Sequence, residues 1–194
     1  MRIKGQQSLP LGIVVERREV AHRWVKHSWR PVAVIPGAGA ADPLGPWTEL
    51  GEGEGWRHYH AGTLTLDLFP KETEGYRVNM AQQPPRLFVV LRSGEDMAGA
   101  DIICDHDVAP FLVTACPFEA QDYLDSGEEI VEAVAMPPGV AALVESFIAE
   151  HHVEEAFHKR KRKRWAEQTG GIARRSSVVS ADGAGGSGRG EHND

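Results

Sequence analysis

Residues 56–68, Trp56-Arg-His-Tyr-His-Ala-Gly-Thr-Leu-Thr-Leu-Asp-Leu68, decide the fold class. His58, His60, Leu64, Leu66 and Leu68 alternate with Tyr59, Ala61, Thr63, Thr65 and Asp67, which is the period of a strand with one apolar face. Toward the N-terminus, Gly12-Ile-Val-Val-Glu-Arg17 reads as a first strand and Trp29-Arg-Pro-Val-Ala-Val-Ile35 as a second, stopped by Pro36-Gly37. Residues 36–46 are a Gly/Ala/Pro loop, and Trp47–Leu50 runs into a Gly-Glu repeat at 51–55 that reads as flexible.

Toward the C-terminus, Glu74–Asn79 reads as a shorter strand, and Arg86–Arg92 as a buried one after Pro84-Pro85. Asp101–Cys104 and Phe111–Ala115 are further strand candidates, with Glu129–Ala135 the last. Pro117 with Phe118, Gln121, Tyr123 and Leu124 predicts a short helix with Gly127 past its end. Pro137-Pro138 opens a long helix expected over Pro138–Trp165. Strands with polar connections and helices gathered late predict an α+β fold: mainly an antiparallel sheet or partial barrel, one short helix and a long C-terminal helix. The expected single domain is 11–165. Residues 1–10 and 166–194 are expected to be flexible or disordered, the latter because composition falls to Gly, Ser, Ala and charge.

Composition bounds the function classes. The 194 residues are 41% apolar and 25% charged, with formal charge −7. No apolar run approaches the roughly 18 residues of a membrane span. The basic N-terminus leads into no apolar signal core, and Cys104 and Cys116 make no disulfide framework, so a cytoplasmic protein is expected. Residues 1–150 hold 12 Lys/Arg against 22 Asp/Glu, a net −10, whereas residues 151–194 hold 9 against 6, a net +3. An acidic body repels phosphate backbones, so nucleic acid is not the expected partner; without an apolar span, a membrane is not expected either.

The late helix carries most of the suggestive chemistry. Val140, Leu143, Val144, Phe147 and Ile148 share a face that continues through His151, Glu154, Glu155 and His158, while His152 points elsewhere. His151, Glu155 and His158 are metal-ligand candidates by residue type and i,i+3/i+4 spacing. Because one helix supplies too few ligands, a salt-linked helix end is the favoured reading. His58, His60, Cys104 and His106 have no recognised ligand spacing. The run Lys159, Arg160, Lys161, Arg162, Lys163, Arg164 reads as a solvated helix end, a dock for an acidic protein, or a nucleic-acid contact; Trp165 beside it adds an aromatic anchor.

Catalytic signatures are weak. Gly37-Ala-Gly39 lacks a third glycine and a following helix, and there is no Gly-x-Ser-x-Gly elbow. Ala184–Gly190 resembles a truncated phosphate loop but sits in linker-like composition. Cys116 precedes a helix N-terminus, a place that lowers a thiol pKa, yet a buried structural cysteine is the expectation.

A series of strings carries a family resemblance. They are Val14-Val-Glu-Arg-Arg18, Trp29-x-Pro-Val-Ala-Val-Ile-Pro-Gly37, Tyr59-x-Ala-Gly62, Glu72-Thr-Glu74, Tyr76-x-x-Asn79, Val90-Leu-Arg92 and Val113-Thr-Ala115. Pro117-x-Glu-Ala120, Val131-Glu-Ala-Val134, Met136-Pro137 and His151-His-Val-Glu154 continue it. Together, over roughly residues 11–165, they resemble a proteobacterial domain-of-unknown-function family, number 3305. The resemblance implies an accessory role in molybdoenzyme maturation or its electron transfer, beside formate dehydrogenase; the lack of a catalytic constellation makes a non-enzymatic role the expectation, with a molybdoenzyme or iron–sulfur subunit as the acidic partner. Members are sometimes labelled molybdopterin-guanine dinucleotide biosynthesis protein A, which implies a nucleotidyltransferase or a carrier of the molybdopterin nucleotide. Such a transferase has a Gly-rich loop after its first strand, where this chain has Glu16-Arg-Arg-Glu19. A metal-binding module through the His/Glu set is the remaining alternative.

Overall fold

The alternating stretch forms β4 (Trp56–Leu68). With β1 (Gln7–Glu19), β2 (His27–Pro36) and β3 (Thr48–Gly53) it builds a four-stranded sheet ordered β2-β1-β4-β3, every pairing antiparallel. A second antiparallel sheet, ordered β6-β5-β7, contains β5 (Arg86–Ser93), β6 (Val108–Thr114) and β7 (Ile130–Ala135). The α-helices α1 (Thr73–Met80), α2 (Pro117–Ser126) and α3 (Pro138–His151) pack with them. The computed structural model describes residues 5–21, 23, 27–94, 96 and 106–153. The strand candidate at 101–104 and the expected tail lie outside them.

One core serves both sheets. Leu11, Ile13, Val15, Leu66 and Leu68 from the first sheet meet Leu87, Val89 and Leu91 of β5, with Tyr76, Val140, Val144 and Phe147 from the helices. Each fully buried side chain of this kind contributes about 1.5–3 kcal/mol relative to exposure. The expected apolar face of α3 is the buried one, and Gly127 ends α2 in the left-handed conformation at φ 71°.

The expected α+β class, with one short helix and a long C-terminal helix, does not stand. Strands dominate in two sheets, where one sheet or a partial barrel was expected, and the α-helices that can be assigned bounds among the described residues are three short ones. Residues 74–79 belong to α1: Thr73, Tyr76 and Asn79 are buried at three-residue intervals, while Val78, in phase with Tyr76 for a strand, is exposed. Nor does α3 reach Trp165. His152 turns extended, with ψ 124°, and its ring is held by α1: Nδ1 lies 3.1 Å from Thr73 Oγ1, and Arg77 Nη1 lies 2.8 Å from Nε2.

Two stretches read as loose are ordered. The Gly-Glu segment is β3, paired to β4 through a turn at Gly55. The Gly/Ala/Pro loop lies against the first sheet: Thr63 N–H donates to Ala41 O at 2.9 Å and Thr63 Oγ1 to Gly39 O at 2.6 Å. Gly62, at φ 130°, has no room for a Cβ, which would stand 2.6 Å from Pro43 Cα. This cover helps explain why β1 is buried continuously from Leu11 to Glu16 and does not alternate.

Candidate functional site

Strand parity puts Glu16 and Arg18 on the same face of β1, and register supplies their neighbours. Glu16 lies opposite Arg30 of β2 and His58 of β4; Arg18 lies opposite Ser28 and Trp56. Four donors therefore converge on one carboxylate. Oε1 accepts from Arg18 Nε and Arg30 Nη2, both at 3.2 Å; Oε2 accepts from Arg18 Nη2 at 3.4 Å and His58 Nε2 at 3.2 Å. Since a carboxylate only accepts, His58 carries its proton on Nε2 in this arrangement. Burial pushes the Glu16 carboxyl up, but the hydrogen bonds from Arg18 and His58 and the charges of Arg18 and Arg30 outweigh it and hold it below its ordinary value.

The carboxylate is hidden and the cations are not. The Glu16 side chain is 8% exposed, against 56% for Arg18 and 54% for Arg30. A depression of about 320 Å³ opens beside them, lined by Glu16, Arg18, Ser28, Trp29, Arg30 and Glu132 of β7. Two guanidiniums on one carboxylate leave that cluster one positive charge in excess, and Glu132 in the wall of the depression offsets it formally.

A second depression, about 380 Å³, lies between α1 and α2, with Lys71, Glu72, Gly75, Cys116, Phe118 and Glu119 in its wall. Burial pushes the Cys116 thiol up, against the lowering effect of the Glu119 and Phe118 amides, and the Glu72 and Glu119 charges reinforce the rise. The Tyr76 hydroxyl behind it, donating to Glu72 Oε2 and accepting from Phe69 N–H, both at 3.2 Å, is likewise pushed up by burial. These groups are held protonated at neutral pH, the opposite of an activated nucleophile.

Of the sequence-derived site residues, His151 alone is among the described residues. It packs on Phe147, ring centroids 4.5 Å apart, and lies 3.8 Å from Glu150. Glu155, His158 and the stretch Lys159–Trp165 lie outside them. No group of three or more His, Cys, Asp or Glu is placed to hold a metal ion among the described residues. His58 and His60 are not brought together with His106: His58 serves Glu16, and His106 stacks on Trp47 at 3.9 Å. The Glu16 cluster was missed. Its one sequence signal is a charge in phase with Val14 on a strand buried on both faces; Arg30 and His58 become visible only through register.

No helix among the described residues is long and apolar enough to cross a membrane. No curated protein and no solved structure matches the chain. Residues 10–161 match the family model described as "Protein of unknown function (DUF3305)". A match over most of the chain places it: the protein belongs to the DUF3305 family.

Proposed function

We propose that this protein is a cytoplasmic, non-enzymatic accessory factor that binds an acidic protein partner through Lys159–Arg164 and Trp165. The reading is supported by the separation of charge along the chain, net −10 before residue 151 and net +3 after it. Coulombic steering between a basic run and an acidic surface raises association rates and selects partners. His152 closes α3 through its clasp on α1, and the six cations begin seven positions later in the sequence. The family resemblance supports a proteobacterial setting beside formate dehydrogenase, with a molybdoenzyme or iron–sulfur subunit as partner.

The test is affinity capture with the full chain against a full-length variant in which residues 159–164 are all glutamine. Loss of a formate dehydrogenase or iron–sulfur subunit from the variant, reversed by no other change, is the expected result. Equal recovery by both chains rules the reading out. A carrier of the molybdopterin nucleotide is a second reading, supported by the half-exposed guanidiniums of Arg18 and Arg30. Calorimetric titration with guanine nucleotide tests it, and absence of heat at about millimolar ligand retires it.

A further inference from the structure

We propose that the depression in front of Glu16 is a binding site for a phosphate group, held by Arg18 and Arg30. Glu16 is fully subscribed by its four donors and serves as the anchor of the site. It takes Nε and Nη2 of Arg18 but only Nη2 of Arg30, so Arg18 Nη1 and Arg30 Nε and Nη1 keep their donors for a ligand. A guanidinium locked at one edge loses little further freedom on binding at the other, which is how a pre-organised fork gains affinity. The two forks stand on adjacent strands, with Ser28 beside them in the wall of the depression. A tetrahedral oxyanion has enough oxygens for two forks and a hydroxyl together, whereas a carboxylate has two.

Glu132 sets the limit on affinity and supplies the sharpest test. It lines the same depression and makes no hydrogen bond or ion pair among the described residues. Its charge opposes any anion there, so Glu132→Gln tightens phosphate binding, while a purely structural role for the arginines predicts no change. The site is built from residues of β1, β2 and β7, whereas the partner reading rests on residues 159–165, so separate variants test the two.

The experiment is a titration of the full-length protein with inorganic phosphate at constant ionic strength, following the Nε–H signals of Arg18 and Arg30 by NMR. The expected result is saturation in the range of about 1–10 mM. Binding weakens at least about tenfold in Arg30→Gln and tightens roughly threefold in Glu132→Gln, the scale of a single exposed charge. Acetate, the carboxylate control, produces no saturating shift. Unsaturated shifts, equal response in Glu132→Gln and the parent, or acetate binding as well as phosphate each overturn the proposal. Phosphate binding without guanine-nucleotide binding supports the site while removing the carrier reading, so the two fail separately. Arg30 is half-exposed, and an unchanged backbone spectrum in Arg30→Gln confirms that loss of binding is local.

Discussion

Asn79 and Arg86 hold each other by a reciprocal pair of hydrogen bonds. Arg86 N–H donates to Asn79 Oδ1 at 3.0 Å, and Asn79 Nδ2 donates back to Arg86 O at 2.7 Å. The second Nδ2 proton reaches Ala115 O, also at 2.7 Å. One fully buried side chain thus ties α1 to the start of β5 and to the residue following β6.

Replacing Asn79 tests that clasp. Asn79→Ala leaves one buried N–H and two carbonyls short of a partner and costs about 3 kcal/mol in urea unfolding. Asn79→Asp is worse at neutral pH, because a carboxylate oxygen then faces two carbonyl oxygens from which it can accept nothing. A loss below about 1 kcal/mol in either variant contradicts the account.

Gly75 is set by Cys116. A Cβ on Gly75 would stand 2.6 Å from Cys116 Sγ and 3.3 Å from Phe118 Cδ2. Helix propensity alone favours alanine by about 1 kcal/mol, but overpacking reverses the sign, and Gly75→Ala loses about 1–2 kcal/mol net. Cys116→Ala in the same chain frees the space. Double-mutant unfolding therefore shows a favourable coupling, and simple additivity of the two single changes refutes the contact.

Where hydrophobic period and punctuation agreed, the elements were legible in the chain: β4 by alternation, α2 by Pro117 and Gly127, the buried face of α3 by its apolar spacing. Residues 74–79, six residues with one glycine and two apolar side chains, fit a strand and a helix alike. Burial of Asn79, a polar residue satisfied wholly by tertiary partners, was the deciding term, and no local pattern contains it. The end of α3 is likewise tertiary, fixed by Thr73 and Arg77 on another helix. The Glu16 cluster joins residues 14 and 42 positions from it in sequence, so strand register had to be known first.

The Cys116 thiol resists alkylation. Burial, the first cause of its raised pKa, also blocks access, and both lower the reactive thiolate. In a Cys104→Ser chain, iodoacetamide at about pH 8 modifies Cys116 at least about tenfold more slowly than in urea. Equal rates in the folded and unfolded chain mean that the thiol is open and activated.

Acid stability depends on Glu16. Its carboxyl titrates lower in the folded protein than in the unfolded chain, so the unfolded state takes up the proton first as pH falls. The stabilisation is complete above the unfolded value, about 4.3 for a glutamate, and is lost as pH falls through the folded value. Glu16→Gln removes this dependence and leaves Arg18 and Arg30 facing a neutral amide, at a cost of about 1–3 kcal/mol near pH 7. Glu129, held low by Ser126 and Arg92, contributes to acid unfolding in both chains and cancels from the comparison. The difference in unfolding free energy between parent and Glu16→Gln should therefore shrink steadily from about pH 5 to pH 3. A difference that stays constant across that range would assign the effect of the substitution to packing and not to the four donors.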